Sequence, residues 1–478
     1  MGERAAVWFR TDLRVHDNES LARACAAEEV VPVYCFDPRE FGEGMFGLPK
    51  TGPHRTRFLR ESVADLRASL RERGGDLLVR QGRPEEVVPS LAERHDLDRV
   101  HFQTKPATEE LTVENRVKAA LSERGVEHRR HWTHTLYHIN DLPRSVENIE
   151  DTFTPFKDRT EDLAAVRDQL PTPESVPVPE GVEPGEIPTN EELGVAPADD
   201  DDRGVLAFQG GETAGRERVD AYLWEGDHLR NYKATRNGLL GADYSSKLSA
   251  WLAHGCLSPR YVHDEVRRYE AERVSNKDTY WLLFELTWRD FFQFQFIKHG
   301  GQFFTQGGIR KLDREWSTDR ELFRRWAEGR TGVPFVDANM RELNATGYMS
   351  NRGRQNVASF LADWLELDWR MGAAYFESRL VDYDPASNWG NWAYQAGVGN
   401  DSRNLYFNVL KQATRYDSDG AYVRHWLPEL SDVPGDAVHE PWEMSRDQQS
   451  LYGAVLGEDY PRPVIDLDER HAQLRRER

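Results

Sequence analysis

Cysteine, lysine and long apolar runs are the scarce features of this 478-residue chain. Three cysteines, Cys25, Cys35 and Cys256, form no metal-ligand pair, and an odd thiol count argues against a disulfide framework. That fits a reducing cytoplasm. No apolar run approaches the ~20 residues that span a bilayer. The opening residues, Met1 to Arg10, show no apolar signal segment. A collagen, a membrane protein, a secreted mini-domain and a wholly disordered chain are therefore excluded. Lysine supplies ten of the 62 basic side chains, set against 82 acidic ones, for a net charge of −20. A Lys-poor acidic surface suits a cytoplasm at high salt, where self-repulsion is screened. A GC-rich genome, which favours arginine, is the other reading. Net acidity argues against a nucleic-acid-binding surface overall, but leaves room for a local basic groove.

What is present divides the chain. Short runs rich in β-branched and aromatic residues occur at 5–10, 30–36, 76–80 and 98–102. Helical patterns lie between and after them, at 18–28, 54–73, 84–95 and 108–124. This alternation predicts an α/β domain with a parallel, Rossmann-like sheet over residues 1–140. Residues 171–205 are punctuated by seven prolines and end in an acid run, Asp199 to Asp202. They read as a solvated interdomain linker, assigned to 141–212, or as a loop wrapped on the surface. Helical periodicity then dominates 213–478, in an all-α domain holding twelve of the 14 tryptophans.

Five clusters carry chemistry. A GxGxxG at Gly42–Gly47 is followed at once by Pro49 and Pro53, so it reads as a chance match, not a dinucleotide loop. Tyr232 precedes Ser245, Ser246, Lys247, Leu248 and Ser249. Hydroxyls at a helix start beside a lysine make an anion site, or a plain serine cap. On the helix at 278–299, Trp281, Glu285, Trp288 and Phe292 share one face. A carboxylate between two indoles suits an aromatic-walled pocket, or is paired with an arginine elsewhere. Asn351, Arg352, Arg354 and Gln355, with Arg310, Lys311, Arg314, Arg403 and Lys411, could form a basic groove, or scattered surface ion pairs. Asp382 to Trp392 packs acids, amides and indoles into what Pro385 and Gly390 mark as partly irregular structure. That cluster suits a heterocyclic ligand, or a hydrated surface loop.

These segments together resemble the photolyase/cryptochrome family, and most of all its DASH branch, over essentially the whole chain. The resemblance is carried by VWFRTDLRVHDN (7–18), SSKLSAWLAHGCLSPR (245–260), WRDFFQF (288–294), the run from Gly332 to Leu361 and DYDPASNWGNW (382–392). It implies an antenna-binding α/β domain, a long linker and a helical FAD-binding domain. Tyr232 and Ser245–Ser249 would then hold the FAD phosphates. Arg289, Arg354, Asp382, Asp384 and Asn388 would line the flavin. Trp392, Trp369 and Trp316 would form an electron-transfer chain. Glu285, Trp288, Asn351 and Arg352 would contact a flipped-out pyrimidine dimer or its flanking phosphates. Gln355 and Tyr394 stand where duplex-repairing relatives often have Met and Trp. The antenna implied is 5,10-methenyltetrahydrofolate, touched by Glu109 or Glu110.

The expected activity is blue-light repair of cyclobutane pyrimidine dimers by electron transfer from reduced FAD, on single-stranded or looped DNA. The expected protein is cytoplasmic and monomeric, and needs neither metal nor membrane. A signalling cryptochrome, or a nucleic-acid-binding module that keeps flavin as structure, are the alternative functions.

Overall fold

A computed structural model describes residues 2–400 and 406–476. Five strands form one parallel sheet: β1 (Arg4–Phe9), β2 (Glu29–Phe36), β3 (Leu78–Gln81), β4 (Arg99–Gln103) and β5 (Glu127–His131), in the order β3-β2-β1-β4-β5. β1 and β2 are buried on both faces beneath covering helices, which is why they read as continuous apolar runs. β5, with the sequence EHRRH, was not among the expected strands. It is a charged edge strand, held against β4 partly by the Arg99–Glu127 pair at 2.9 Å. Charge on an edge strand blocks pairing with other chains, and it also hides the strand from a hydrophobic pattern.

The Gly42–Gly47 stretch opens no helix. It folds into a tight loop in which Gly44 N–H donates to Leu48 O at 2.7 Å and Lys50 N–H to Gly42 O at 3.0 Å.

The proline-rich segment is a strap rather than a solvated linker. Val30 N–H donates to Pro177 O at 2.7 Å, Val79 N–H to Pro184 O at 2.7 Å, and Val176 N–H to Arg73 O at 2.9 Å. Proline lacks a donor but keeps its carbonyl, so it can satisfy N–H groups at the sheet margin. The strap's own Val176, Leu193, Val205 and Phe208 are buried. Ahead of it stands an unexpected helix, Phe153–Leu163.

The helical domain is built around Lys277–His299, whose start is fixed by a reciprocal capping box between Asn276 and Thr279. The segment expected to be partly irregular, 382–392, is largely the helix Pro385–Gln395. Pro385 occupies its first turn, where no N–H is missed, and Asp384 caps it by accepting from Ser387 N–H at 2.7 Å. Gly390 makes room for Phe292: a Cβ there would lie 2.3 Å from the ring. Among the described residues, no helix is long and apolar enough to cross a membrane.

The opening motif turns out to join the two domains. Arg14, 1% exposed, donates to Gly255 O at 2.8 Å, and to the carbonyls of His16, Asp17 and Thr133. Asp17 pairs with Arg260 at 2.5 Å. Glu212 accepts from Val15 N–H at 2.7 Å and meets His16 Nδ1 at 2.7 Å.

Burial pushes the Glu212 carboxyl up, but the His16 contact, Arg216 and the Val15 N–H outweigh it and hold it at about 2. A carboxyl depressed from 4.5 stabilises the fold fully above its unfolded value, and that contribution is lost as pH falls from 4.5 toward 2. The full span is on the order of 3 kcal/mol. Glu212→Gln should therefore be clearly less stable than the parent at pH 6, and most of that difference should be gone near pH 2.5, by urea unfolding. A difference that does not change with pH would refute this role.

Candidate active site

Three elements converge on a cavity: the helices Asn351–Ser359, Trp369–Arg379 and Pro385–Gln395. Ser350 caps the first by accepting from Gly353 N–H at 3.0 Å, which sets Arg354 one turn inside. Arg354 donates to both oxygens of Asp382, at 2.8 and 3.0 Å, and its Nε to Met349 O at 2.9 Å. Burial disfavours the Arg354 charge, but Asp382 and Tyr348 reverse this and raise its pKa. Asp384 accepts from Gln293 at 2.9 Å. Asn388 donates to Ala373 O at 3.0 Å, which fixes its side-chain plane at the cavity wall. Trp392 closes the cavity and rests on Gly372, where a Cβ would lie 2.2 Å from the indole.

The donor and acceptor set fits a flavin nucleotide. Gln355 lines the cavity with its Oε1 buried and without a protein partner. Lys247 is 3% exposed and its Nζ has no hydrogen-bond partner. Buried polar atoms of this kind cost about 1–3 kcal/mol each unless a ligand meets them. Burial first, and Arg218 second, lower the Lys247 ammonium to about 7. An adjacent anion would restore its charge. Lys247 sits at φ +56°, which breaks the expected helix and starts it only at Ser249. Arg218 donates to Ser245 O at 3.2 Å and Ser246 O at 2.9 Å, holding this loop in place. Leu248 precedes the helix without a side-chain cap, so the first N–H groups are open. Tyr232 is buried nearby, within the field of Glu285.

A second, narrow cleft lies between the domains and is lined by Thr11, Lys105, Glu110, His134, Arg289 and Asp384. Asp384 lines both cavities. Arg289 is anchored on His134 O and, at 3.2 Å, on Leu252 O. The two antenna candidates part company here. Glu110 lines the cavity, 3.6 Å from Lys105, whereas Glu109 faces solvent and pairs with Lys50.

On the long helix Lys277–His299, Glu285 is paired with Arg236. Burial raises its carboxyl, and Arg236 opposes that. Arg236 was not a sequence candidate. It sits in an unremarkable polar stretch, and only folding brings it to Glu285. Trp288 stands edge-on to Tyr394 at 6.2 Å. Asn351 is exposed on the rim. Arg352 donates to Asn237 at 3.0 Å and lies 4.5 Å over Tyr416. The wider basic groove is not gathered in one place. Arg310 donates to Gly397 O at 2.7 Å and Arg314 to Ala362 O at 3.2 Å, while Lys311 and Lys411 are exposed. Arg403 lies outside the described residues.

Trp369 and Trp316, expected alongside Trp392, lie on separate segments. Trp369 begins the helix on which Trp392 rests; it is fully buried and donates to Gln306 O at 3.0 Å. Trp316 is half-buried beneath Arg314, at 4.1 Å. Its neighbour Ser317 is bonded by its backbone to Glu366 and Asp368, each at 2.8 Å, just before Trp369.

Comparisons agree with this geometry. Residues 281–477 match the FAD binding domain of DNA photolyase, and residues 5–178 match the DNA photolyase domain. The chain is 63% identical over 473 residues to the cryptochrome DASH of Natronomonas pharaonis, covering 99% of this chain and all of that one. It is 55% identical over 463 residues to that of Gloeobacter violaceus, covering 96% of this chain and 93% of the other. The solved structure of the Synechocystis sp. cryptochrome superposes with a TM-score of 0.96 at 48% identity, covering 99% of each chain.

Proposed function

The chain belongs to the photolyase/cryptochrome family, alongside its DASH members, and we propose that it repairs cyclobutane pyrimidine dimers under blue light. Single-stranded or looped DNA is the preferred substrate. FAD, when bound and reduced, supplies the light absorption and the electron that splits the dimer. The observation that supports this reading best is one cavity that gathers Arg354, Asp382, Asn388 and Trp392, with Asn351 and Gln355 also in its wall.

Each residue has a task in that reading. Arg354 and Asp382 hold a charge-assisted pair against the flavin edge. Tyr232 and Ser245–Ser249, with Lys247, take the phosphates. Asn388 faces the reactive end of the ring system. Trp392, Trp369 and Trp316 carry electrons inward from the surface. Glu285 exchanges its Arg236 contact for the edges of the everted bases, and Trp288 stacks on them. Asn351 and Arg352 take the flanking phosphates. Glu110 touches a methenyl-folate antenna in the interdomain cavity.

The strand preference follows from energetics. Eversion from a duplex costs a few kcal/mol, and least from a single strand. Gln355 and Tyr394 make the site more polar, and losing one base–aromatic stack forfeits about 1–3 kcal/mol. That is enough to confine efficient repair to unpaired DNA.

The test is repair of a thymine-dimer oligonucleotide, single-stranded and duplex, in blue light and in darkness, with reductant, at low and high salt. Light-dependent repair favouring the single strand is expected. Equal duplex repair would discard the argument from Gln355 and Tyr394. A photoreducible flavin without any repair would assign the chain to signalling.

A further inference from the structure

Trp288 does not stand alone. The ring of Phe153 lies parallel to its indole, with centroids 3.6 Å apart and planes 9° from parallel. Phe153 is 7% exposed and opens the helix Phe153–Leu163, in the segment between the two domains. It also meets Phe284 edge-on at 5.2 Å and Phe291 edge-on at 5.7 Å, so it is wedged among three aromatics of one long helix.

The wedge is fixed from both sides. Before it, Asp151 pairs with Lys298 and with His299, each at 2.7 Å. After it, Phe156 packs on Phe291 at 5.3 Å, and Tyr280 donates to Glu161 at 2.8 Å. Isolated aromatic pairs prefer offset or edge-on contact to a full sandwich. The near-sandwich is therefore imposed by packing around it, and it removes one face of the indole from use. Trp288 also meets Phe292 at 5.8 Å, 30° from parallel, and Tyr394 edge-on at 6.2 Å, yet it remains only partly buried, so what it offers a ligand is the part of the indole that these rings leave uncovered.

We propose that Phe153 is a positioning residue, which backs Trp288 so that the indole presents a single fixed face to an everted pyrimidine pair. This rests on the stacking role given to Trp288 above. A leucine at 153 fills much of the volume but provides no parallel plane, and the indole gains freedom to tilt. A tyrosine keeps the plane.

The experiment is binding in darkness of a single-stranded thymine-dimer oligonucleotide and its undamaged twin, by fluorescence anisotropy, to the flavin-loaded protein. Phe153→Leu should lose about tenfold in dimer-over-undamaged discrimination, one weakened stack. Its affinity for undamaged DNA, its flavin content and its melting temperature should stay near the parent values. Phe153→Tyr should retain the discrimination. Should the leucine variant fail to fold, Phe153→Met takes its place with the same expectation, as a flexible filler without a plane. Unchanged discrimination in the leucine or methionine variant, or equal weakening toward both DNAs, overturns the proposal. Trp288→Ala separates the two readings. If it leaves discrimination intact, the role of Trp288 itself falls and this inference with it. If it abolishes discrimination while Phe153→Leu does not, only the role of Phe153 falls.

Discussion

Gly255→Ala is expected to lower stability by more than about 3 kcal/mol, although it adds a single methyl group. Gly255 has φ +67°, a region that an L side chain enters at a cost of about 1–2 kcal/mol. Strain is the smaller part. A Cβ at 255 would stand 1.9 Å from Thr11 O, 2.5 Å from its carbonyl carbon and 2.7 Å from Asp12 Cα. All three are backbone atoms, so no rotamer relieves the clash. The loop after β1 must move off the helical domain as a unit. In moving, it would break the Arg14 bond to Gly255 O and the Leu13 N–H bond to His254 O. Buried donors left without partners cost about 1–3 kcal/mol each.

Gly125→Ala is the control. That residue has φ +69° with nothing within 4 Å of the added carbon. It should lose only the backbone term, about 1–2 kcal/mol. Chemical unfolding of both variants decides the matter. If Gly255→Ala cost no more than Gly125→Ala, the two domains would not be docked as tightly as the contacts around Arg14 require. Trypsin supplies a second reading. A loosened interface should expose the strap between 164 and 211, which is otherwise pinned to the sheet through Pro177 and Pro184.

The parts of this architecture that were legible in the sequence are those where local pattern and final environment coincide. β1 and β2 are apolar because both of their faces are buried. β5 is polar because it closes an edge, and a pattern built on burial passes over it. Pro385 and Gly390 suggested irregular structure because either residue breaks a helix interior. One sits in the first turn and the other under Phe292, and neither circumstance is visible without the neighbours. Arg236, Phe153 and Glu212 went unremarked for a related reason. Each acts through one long-range partner, and an arginine, a phenylalanine or a glutamate carries no signature of a distant contact. The reading that Glu285 pairs with an arginine elsewhere does describe this structure. Between Glu109 and Glu110, helix position alone did not choose. The cavity lined by Glu110, and the surface pairing of Glu109 with Lys50, separate them.

Asp382→Ala is expected to yield a folded but destabilised protein that purifies with little flavin. Asp382 is 2% exposed at its side chain and Arg354 is 25% exposed, so the pair is buried on one side and opens to the cavity on the other. Removing the acid strands a guanidinium that burial already disfavours. For fully buried pairs this costs about 3–5 kcal/mol, and access to the cavity places the present case near the lower end. Asp382→Asn keeps an acceptor but removes the charge, and should fall between the two. The readouts are the flavin-to-protein absorbance ratio and the free energy of unfolding. Full flavin content in Asp382→Ala would mean that the pair does not shape the cofactor cavity.

A double replacement separates fold from cofactor. Arg354→Met with Asp382→Leu removes both charges and restores an apolar contact, which often recovers or exceeds the stability of the original pair. The same replacement leaves the cavity wall without a cation. Stability should therefore return toward the parent while flavin does not. That divergence would show that Arg354 and Asp382 are retained for what they hold rather than for the fold they sit in.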